Sequence, residues 1–184
     1  AIMVRISSSP IRVWIYQSSR ELSDKEVAHT QQLGQHFIDN WAAHGKVLKA
    51  AIEVFHSRFI VLFADEMAVK ASGCSIDNSV HFFKELEGVF NISLFDRMLI
   101  AYRNQDSTIK SMPMHQLLQK VEAEELPRDL TIFNNLVETK SAFENEWETA
   151  LHKSWLAKSL EKHENNLPSQ NILIICCGLP IICL

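Results

Sequence analysis

The spacing of hydrophobic residues along the chain predicts a mixed α+β protein. A β-rich run at 13–16 comes first, and apolar residues then recur every three or four positions over 27–41, which is typical of an amphipathic helix. Residues 23–26 read Ser-Asp-Lys-Glu, a capping box that predicts where this helix begins. Gly45 offers a left-handed cap at its end. The first two elements are therefore a strand and a helix.

Two further β-rich runs follow this helix. Residues 48–55 and 59–63 are separated by three residues, so they are predicted to form an antiparallel hairpin. A second amphipathic helix is predicted over 79–90 and a fourth strand over 98–102. The order strand, helix, strand, strand, helix, strand is that of the ferredoxin-like, or split βαβ, fold, in which an antiparallel sheet carries both helices on one face.

A C-terminal helical extension is predicted to follow this unit. Pro113 begins a helix that runs to residue 125, 131–133 form a short strand, and 141–162 form a long helix. Four-residue steps place Trp147 and Trp155 on one side of that long helix. We expect this side to cover the open face or the edge of the sheet.

The two ends of the chain differ from its middle. Residues 1–11 hold a short apolar stretch broken by serines and a proline, which predicts a loose leader rather than a secretory signal. Residues 164–184 end in an apolar tail that is too short for a membrane span. The tail is expected to be an added edge strand or a disordered stretch foreign to the original gene product, with a membrane or partner anchor as the alternative. We expect one α+β domain over 12–163.

Composition and charge exclude some function classes. The 184 residues, 47% apolar and 22% charged, are enough for one sizeable core. A net charge of −4 with scattered Lys and Arg gives no basic stripe, so a nucleic-acid partner is not expected. One cysteine lies in the body of the chain and three lie in the last nine residues, which is not a disulfide framework. This usage predicts a reducing cytoplasm.

Cys74 is the residue best placed for covalent chemistry. It stands where a strand gives way to a helix, and backbone N–H groups together with the positive end of the helix dipole favour a thiolate there. A nucleophilic thiol also needs a base or cation, which His81 or His44 would supply, with His56 and Lys46 as further candidates. The alternative is that Cys74 is a small apolar plug between strand and helix.

The same junction predicts a binding loop. Small and polar residues surround the cysteine, and they are Gly73, Ser75, Asp77 and Ser79. Asp65 and Glu66 end the preceding strand, where adjacent carboxylates face opposite sides and share one ligand only if the strand has already ended. The alternative for this pair is a solvated strand end. No histidine spacing supports a metal site, so no metal and no cofactor are predicted.

Trp14 and Tyr16 lie on one face of the first strand. If the helices cover the other face, these aromatic side chains are either open to a partner, as on a sheet that stacks bases, or covered by the extension. We expect coverage by Trp147 and Trp155. A bare face would instead serve a homodimer.

Several short segments carry a resemblance to a known family. They are VWIYQS at 13–18, WxxHG at 41–45, DE at 65–66, SGCSIDxSV at 72–80, LFDR at 94–97, FNNLV at 133–137, and Trp147 with Trp155. On these residues the chain resembles, over about 12–160, a small family of uncharacterised bacterial proteins commonly labelled ABC transporter ATPases. The resemblance implies no established activity.

The residues do not support ATP hydrolysis. A transporter ATPase needs a G-x-x-x-x-G-K-[ST] loop, whose amides and lysine hold the phosphates. The chain contains neither this loop nor the sequence LSGGQ, and its five glycines are too far apart to form one. We therefore expect a non-enzymatic binding or regulatory module of the cytoplasm, with an unknown small molecule or protein as partner. The alternative is a thiol-dependent enzyme or redox sensor centred on Cys74, and ATPase activity comes third.

Overall fold

The computed structural model describes residues 11–160 of the chain. The predictions for the N-terminal leader and the apolar tail lie outside these residues, except that residue 11 already belongs to the first strand. Over the described range the chain is a mixed α+β protein with antiparallel sheets. No helix in that range has both the length and the apolar character needed to cross a membrane.

The described range contains nine strands and four α-helices. In chain order they are β1 (Ile11–Gln17), α1 (Asp24–Asn40), β2 (Ala42–Ala43), β3 (Lys46–Val47), β4 (Lys49–Phe55), β5 (Phe59–Asp65), α2 (Gly73–Phe90), β6 (Leu99–Arg103), β7 (Ile109–Pro113), α3 (Met114–Glu122), β8 (Thr131–Phe133), α4 (Lys140–Glu146) and β9 (Glu148–Ala150). One sheet has the order β1-β5-β4, a second has the order β7-β6-β8-β9, and β2 pairs with β3. All these pairs are antiparallel.

The two sheets pack face to face between layers of helices. Successive side chains of a strand point to opposite faces, so Ile60 and Leu62 of β5 pack with α1 and α2, whereas Phe59 and Val61 pack against the second sheet. The far face of the second sheet is covered by α3 through Leu117. The layers therefore follow the order helix, sheet, sheet, helix.

The first five predicted elements are confirmed in their order. The capping box at the start of α1 is present, with Ser23 accepting from the Glu26 amide. The end of α1 differs from the prediction, because the helix stops at Asn40. The buried Trp41 leaves the helix and donates its indole N–H to the Ser75 carbonyl at 2.6 Å. His44 and Gly45, with φ of 52° and 76°, then form the turn between β2 and β3.

The ferredoxin-like arrangement is not confirmed, because the predicted fourth strand does not join β1. It forms as β6 but pairs with β7 and β8 in the second sheet. The outer edge of β1 is met instead by the segment before α4, where the Val13 amide donates to the Glu138 carbonyl at 2.9 Å. The choice of strand partner is a non-local property that hydrophobic periodicity does not encode.

The long helix predicted over 141–162 is wrong. α4 ends at Glu146, and the next residues form β9, which pairs with β8, and a 3-10 turn at Leu151–Lys153. Trp147 is buried between the two sheets, with its ring centroid 4.5 Å from that of Phe143 and 5.0 Å from that of Phe133. The four-residue spacing of aromatic residues therefore marks a short helix and a packing contact between the sheets.

The helices cover the face of β1 that carries Trp14 and Tyr16. Tyr16 stacks on Phe83 of α2 with ring centroids 3.6 Å apart, and Trp14 meets Trp41 edge-on at 6.1 Å. The prediction that the extension covers this face is wrong, because Trp147 packs against the opposite face. Within residues 11–160 this face of β1 therefore offers no open aromatic platform.

Candidate functional site

Cys74 lies in the first turn of α2. Ser72 is the N-cap, and it forms a reciprocal capping box with Ser75: the Ser75 amide donates to Ser72 Oγ at 3.2 Å, and the Ser72 amide donates to Ser75 Oγ at 2.7 Å. The helix thus begins six residues earlier than predicted. Cys74 carries a free, exposed thiol, so it does not fill space between strand and helix.

The structure does not bring Cys74 and His81 together. His81 follows Cys74 by seven residues in the same helix, which puts it on the same face but roughly 10 Å further along the helix axis. It lines a shallow groove between α1 and α2 together with His36. His44, the other predicted partner, is exposed in the turn between β2 and β3.

Two of the predicted binding serines are buried and serve the fold. Ser75 completes the capping box, and the Ser79 hydroxyl donates to the Ile76 carbonyl at 2.7 Å. Burial raises the pKa of Tyr16 above its usual value, and a hydrogen bond with Ser79 opposes this rise. Gly73 and Asp77 are exposed near the start of α2.

The carboxylates of Asp65 and Glu66 shape the loop that leads into α2. Asp65 accepts from the Met67 amide at 3.1 Å and pairs with Lys49 at 3.3 Å, while Glu66 accepts from the Ala71 amide at 3.1 Å. Their oxygens are therefore directed at this chain's own groups. No group of three or more His, Cys, Asp or Glu side chains in the described range is arranged to hold a metal ion.

A cavity of about 480 Å³ lies along the outer edge of β1, and we call it the edge groove. Its floor is the 13–17 part of β1. One wall comes from α2, and the other comes from the second sheet and the residues that follow β8. The lining outside β1 is Ile76, Val80, 94–97, Leu99, Ile100, Phe133, 135–138 and Trp155.

Within residues 11–160, no strand lies beside part of the β1 backbone in the edge groove. The Ser18 amide donates to the Arg58 carbonyl at 2.8 Å, on the side of β1 that faces β5. The Val13 amide donates to the Glu138 carbonyl at 2.9 Å, on the opposite, outer side. Because inward and outward residues alternate along an antiparallel strand, Ile15 and Gln17 also direct their backbone N–H and C=O groups outward. The segment that meets Val13 covers only the first part of this edge. The groove therefore contains backbone donors and acceptors that pair with no other described residue.

The rim of the edge groove is apolar and unusually exposed. Leu136 is 60% exposed, Trp155 is 42% exposed and Phe95 is 37% exposed, and all three line the cavity. Exposed large apolar side chains that cluster around a concave surface mark interaction sites more often than isolated ones do. These three side chains would be buried by an occupant of the groove.

Opposite charges mark the two ends of the edge groove. The Leu99 carbonyl accepts from the Gln17 side chain at 3.1 Å. Arg97 lies two residues before Leu99 and lines the groove, so it stands at the end of the groove near Gln17. Glu138 lies at the other end, beside Val13. Neither side chain has an ion-pair partner among the residues that the structure describes.

A chain of side-chain hydrogen bonds holds the end of the groove near Gln17. The Asn135 amide donates to Gln17 Oε1 at 2.8 Å, and the Trp147 indole donates to Asn135 Oδ1 at 3.1 Å. Together with the bond from Gln17 to Leu99, these contacts tie β1, β6 and the segment after β8 to the buried Trp147. The groove is therefore preformed rather than dependent on an occupant.

A separate polar cluster joins the β4–β5 turn to the second sheet. The Arg103 guanidinium forms a bidentate salt bridge with the Glu148 carboxylate, with N–O distances of 2.6 and 2.7 Å. His56 Nε2 lies 3.6 Å from the same carboxylate. Burial and the Arg103 charge lower the pKa of His56, against the opposing effect of Glu148. The hydrogen bond from Arg103 lowers the pKa of Glu148. This cluster is a structural clamp.

The edge groove could not be predicted from hydrophobic periodicity. The predicted family resemblance offers one signal, because several of the segments on which that prediction rests line the groove: 13–17 within VWIYQS, LFDR at 94–97, part of FNNLV at 133–137, and Trp155. These segments are distant in the sequence and meet only in the folded chain.

Comparisons of the chain with protein-family models, with curated proteins and with solved structures find no match. The family resemblance therefore stays a prediction. Function has to be argued from the geometry of the edge groove and of the Cys74 junction.

Proposed function

We propose that this chain is a non-enzymatic binding module that holds an extended segment of a partner protein in the edge groove. The observation that carries the proposal is the backbone of β1 at 15–17, whose outward groups have no partner within residues 11–160 and which lies in a preformed cavity. An added peptide strand would pair with these N–H and C=O groups, and its side chains would occupy the flanking pockets. The cysteine usage of the chain favours the cytoplasm as its compartment.

The apolar rim supplies the driving force for such binding. Fully burying one large apolar side chain is worth about 1.5–3 kcal/mol. Three side chains of the rim are partly exposed, namely Leu136, Trp155 and Phe95. An occupant that covers them would gain part of this burial free energy from each one. The groove is already formed by β1 and by the hydrogen bonds around Gln17. Binding therefore loses less conformational entropy in this chain than it would if the groove had to become ordered.

A thiol-dependent enzyme or redox sensor is the second candidate function, and the exposed Cys74 in the first turn of α2 is the observation that favours it. Against it stands the separation of the thiol from His81, which lies roughly 10 Å further along the helix axis. ATP hydrolysis comes third, since the chain has no phosphate-binding loop.

A capped pentapeptide, Thr-Val-Ile-Val-Thr, tests the binding proposal. We expect saturable binding that changes the fluorescence of Trp155 and slows hydrogen exchange at the Ile15 and Gln17 amides. Leu136→Asp should weaken this binding at least fivefold, because it places a charge on the apolar rim.

Val89→Asp is the matched control, since Val89 is 55% exposed on α2 and does not line the groove. It should leave the affinity unchanged. The proposal is wrong if the wild-type chain shows no saturable binding, or if both variants weaken binding equally. Fluorescence that responds without any protection of the β1 amides would also contradict strand addition.

A further inference from the structure

We infer that the partner segment lies antiparallel to β1, with an acidic side chain at its N-terminal end against Arg97 and a basic side chain at its C-terminal end against Glu138. The inference rests on the proposed function, because it presupposes a peptide strand in the edge groove. It adds the direction, the length and the charge pattern of that strand.

The direction follows from the pairing already present at this edge. Arg12 forms an antiparallel bridge with Thr139, so the chain that meets the first part of the outer edge of β1 runs against it. A peptide that continues the same ladder past Val13 keeps the evenly opposed antiparallel geometry. Its N-terminal end then lies at Gln17, and its C-terminal end lies at Trp14, next to the bond between Val13 and Glu138.

The length follows from the positions of the two charges. Glu138 is bonded to Val13, and Arg97 stands near the contact between Leu99 and Gln17. Because the outward N–H of Val13 is already bonded to Glu138, the added strand pairs with residues 14–17, and these three steps span roughly 10 Å at about 3.3 Å per residue. A strand of five residues, of which the first extends past Gln17, therefore places its last side chain beside Glu138 and its first side chain near Arg97.

The walls of the groove determine the middle of the segment. Successive side chains of an added strand point to opposite faces of the first sheet. One face is lined by Ile76 and Val80 of α2, and the other by Phe133 and Val137. Because both walls are apolar, the three central residues are all apolar rather than alternately apolar and polar.

The charge pattern follows from two side chains that have no ion-pair partner in the described part of the chain. Arg97 and Glu138 are both exposed, and both line the cavity. Asp96 also lines the Arg97 end, but its carboxylate accepts from the Met98 amide at 2.9 Å within its own turn. The guanidinium of Arg97 is therefore the group at this end that is free to meet an incoming carboxylate.

Two capped pentapeptides of identical composition test the inference. Glu-Val-Ile-Val-Lys should bind about tenfold more tightly than Lys-Val-Ile-Val-Glu, because each exposed ion pair gained or reversed changes affinity a few-fold. The doubly substituted variant Arg97→Glu with Glu138→Arg should invert this preference. Half-molar salt should reduce the ratio toward one.

The outcomes separate this inference from the proposed function. Equal affinity for the two charged peptides, or a preference that the exchange variant does not invert, overturns the inference while binding of the uncharged peptide still supports the groove. Failure of all three peptides to bind overturns both. A concentration-dependent dimer that Leu136→Asp abolishes would instead identify a second copy of this chain as the occupant and overturn the inference.

Discussion

Gly34 shows how a single missing side chain determines the distance between a helix and a strand. It lies on the buried face of α1 with Thr30 and Ile38. A Cβ atom at this position would stand 3.0 Å from Cγ2 and 3.2 Å from Cβ of Ile52 in β4. These are the branch point and the methyl group attached to it in a stiff side chain, so α1 could accommodate an added methyl group only by moving away from the sheet.

Replacing Gly34 tests this contact. Gly34→Ala should lower the free energy of unfolding by about 1 kcal/mol, because overpacking costs about 1–3 kcal/mol and exceeds the helix gain of about 0.5–1 kcal/mol. Gly88→Ala is the control, since a Cβ there meets nothing within 4 Å, and it should stabilise α2. Urea denaturation measures both. Stabilisation by both substitutions would show that α1 is not held tightly against β4.

At the scale of single elements, α2 begins at a capping box that uses two serines. The usual pattern places Glu or Gln at the third helical position, whereas here Ser75 reaches back to the amide of Ser72. This substitution explains why the sequence pattern predicted a later start for the helix. It also explains why Cys74 lies in the helix rather than in the loop that precedes it.

Removing the cap should weaken the start of α2. Ser72→Ala should lower the free energy of unfolding by about 1 kcal/mol, which is the typical cost of losing an N-cap hydroxyl. Ser141→Ala in α4 is the control, because Ser141 is exposed and caps no helix, and its effect should stay within about 0.5 kcal/mol. Faster hydrogen exchange at the Ser75 amide should accompany the first change only.

Local elements were predictable, and their partners were not. The capping box of α1 and the hairpin of β4 with β5 depend on residues close in sequence, and both are confirmed. The partner of β6 and the fold of the residues after α4 depend on burial of Trp147 between two sheets, which no local period encodes. The wrong predictions follow from that difference.

At the scale of the whole molecule, the cluster of His56, Arg103 and Glu148 couples stability to pH. Its members belong to the β4–β5 turn, β6 and β9, so it joins the two sheets. Because burial lowers the pKa of folded His56, the unfolded chain binds a proton more readily below about pH 6.5. The stability contribution of neutral His56 is thus complete above that pH and is lost as the pH falls through the lowered value.

A pH series tests this coupling. The free energy of unfolding should fall between pH 7 and pH 5, and His56→Asn should flatten that part of the curve. Asparagine suits the left-handed backbone at this position, where φ is 51°. The lowered pKa of Glu148 adds a further loss at more acid pH, below about 4.5, that the variant retains. An unchanged slope in the variant would exclude His56 as the source.

The candidate site was predictable only in fragments. Trp14 and Tyr16 were predicted to be covered by Trp147 and Trp155, yet the helices cover them. Trp155 instead forms part of the rim of the edge groove together with Leu136, to which no role was assigned. Whether an apolar side chain is buried depends on what the rest of the chain places over it. Five separate segments of the sequence have to meet before this groove exists.

The central strand β5 has neighbours on both edges and packed side chains on both faces. Solvent reaches its amides only when β1 or β4 separates from it, and either event disrupts both layers that flank the first sheet. Local fraying therefore has no path to the middle of the molecule. Deuterium should enter this strand at the rate set by global unfolding, while the open edge of β1 exchanges long before.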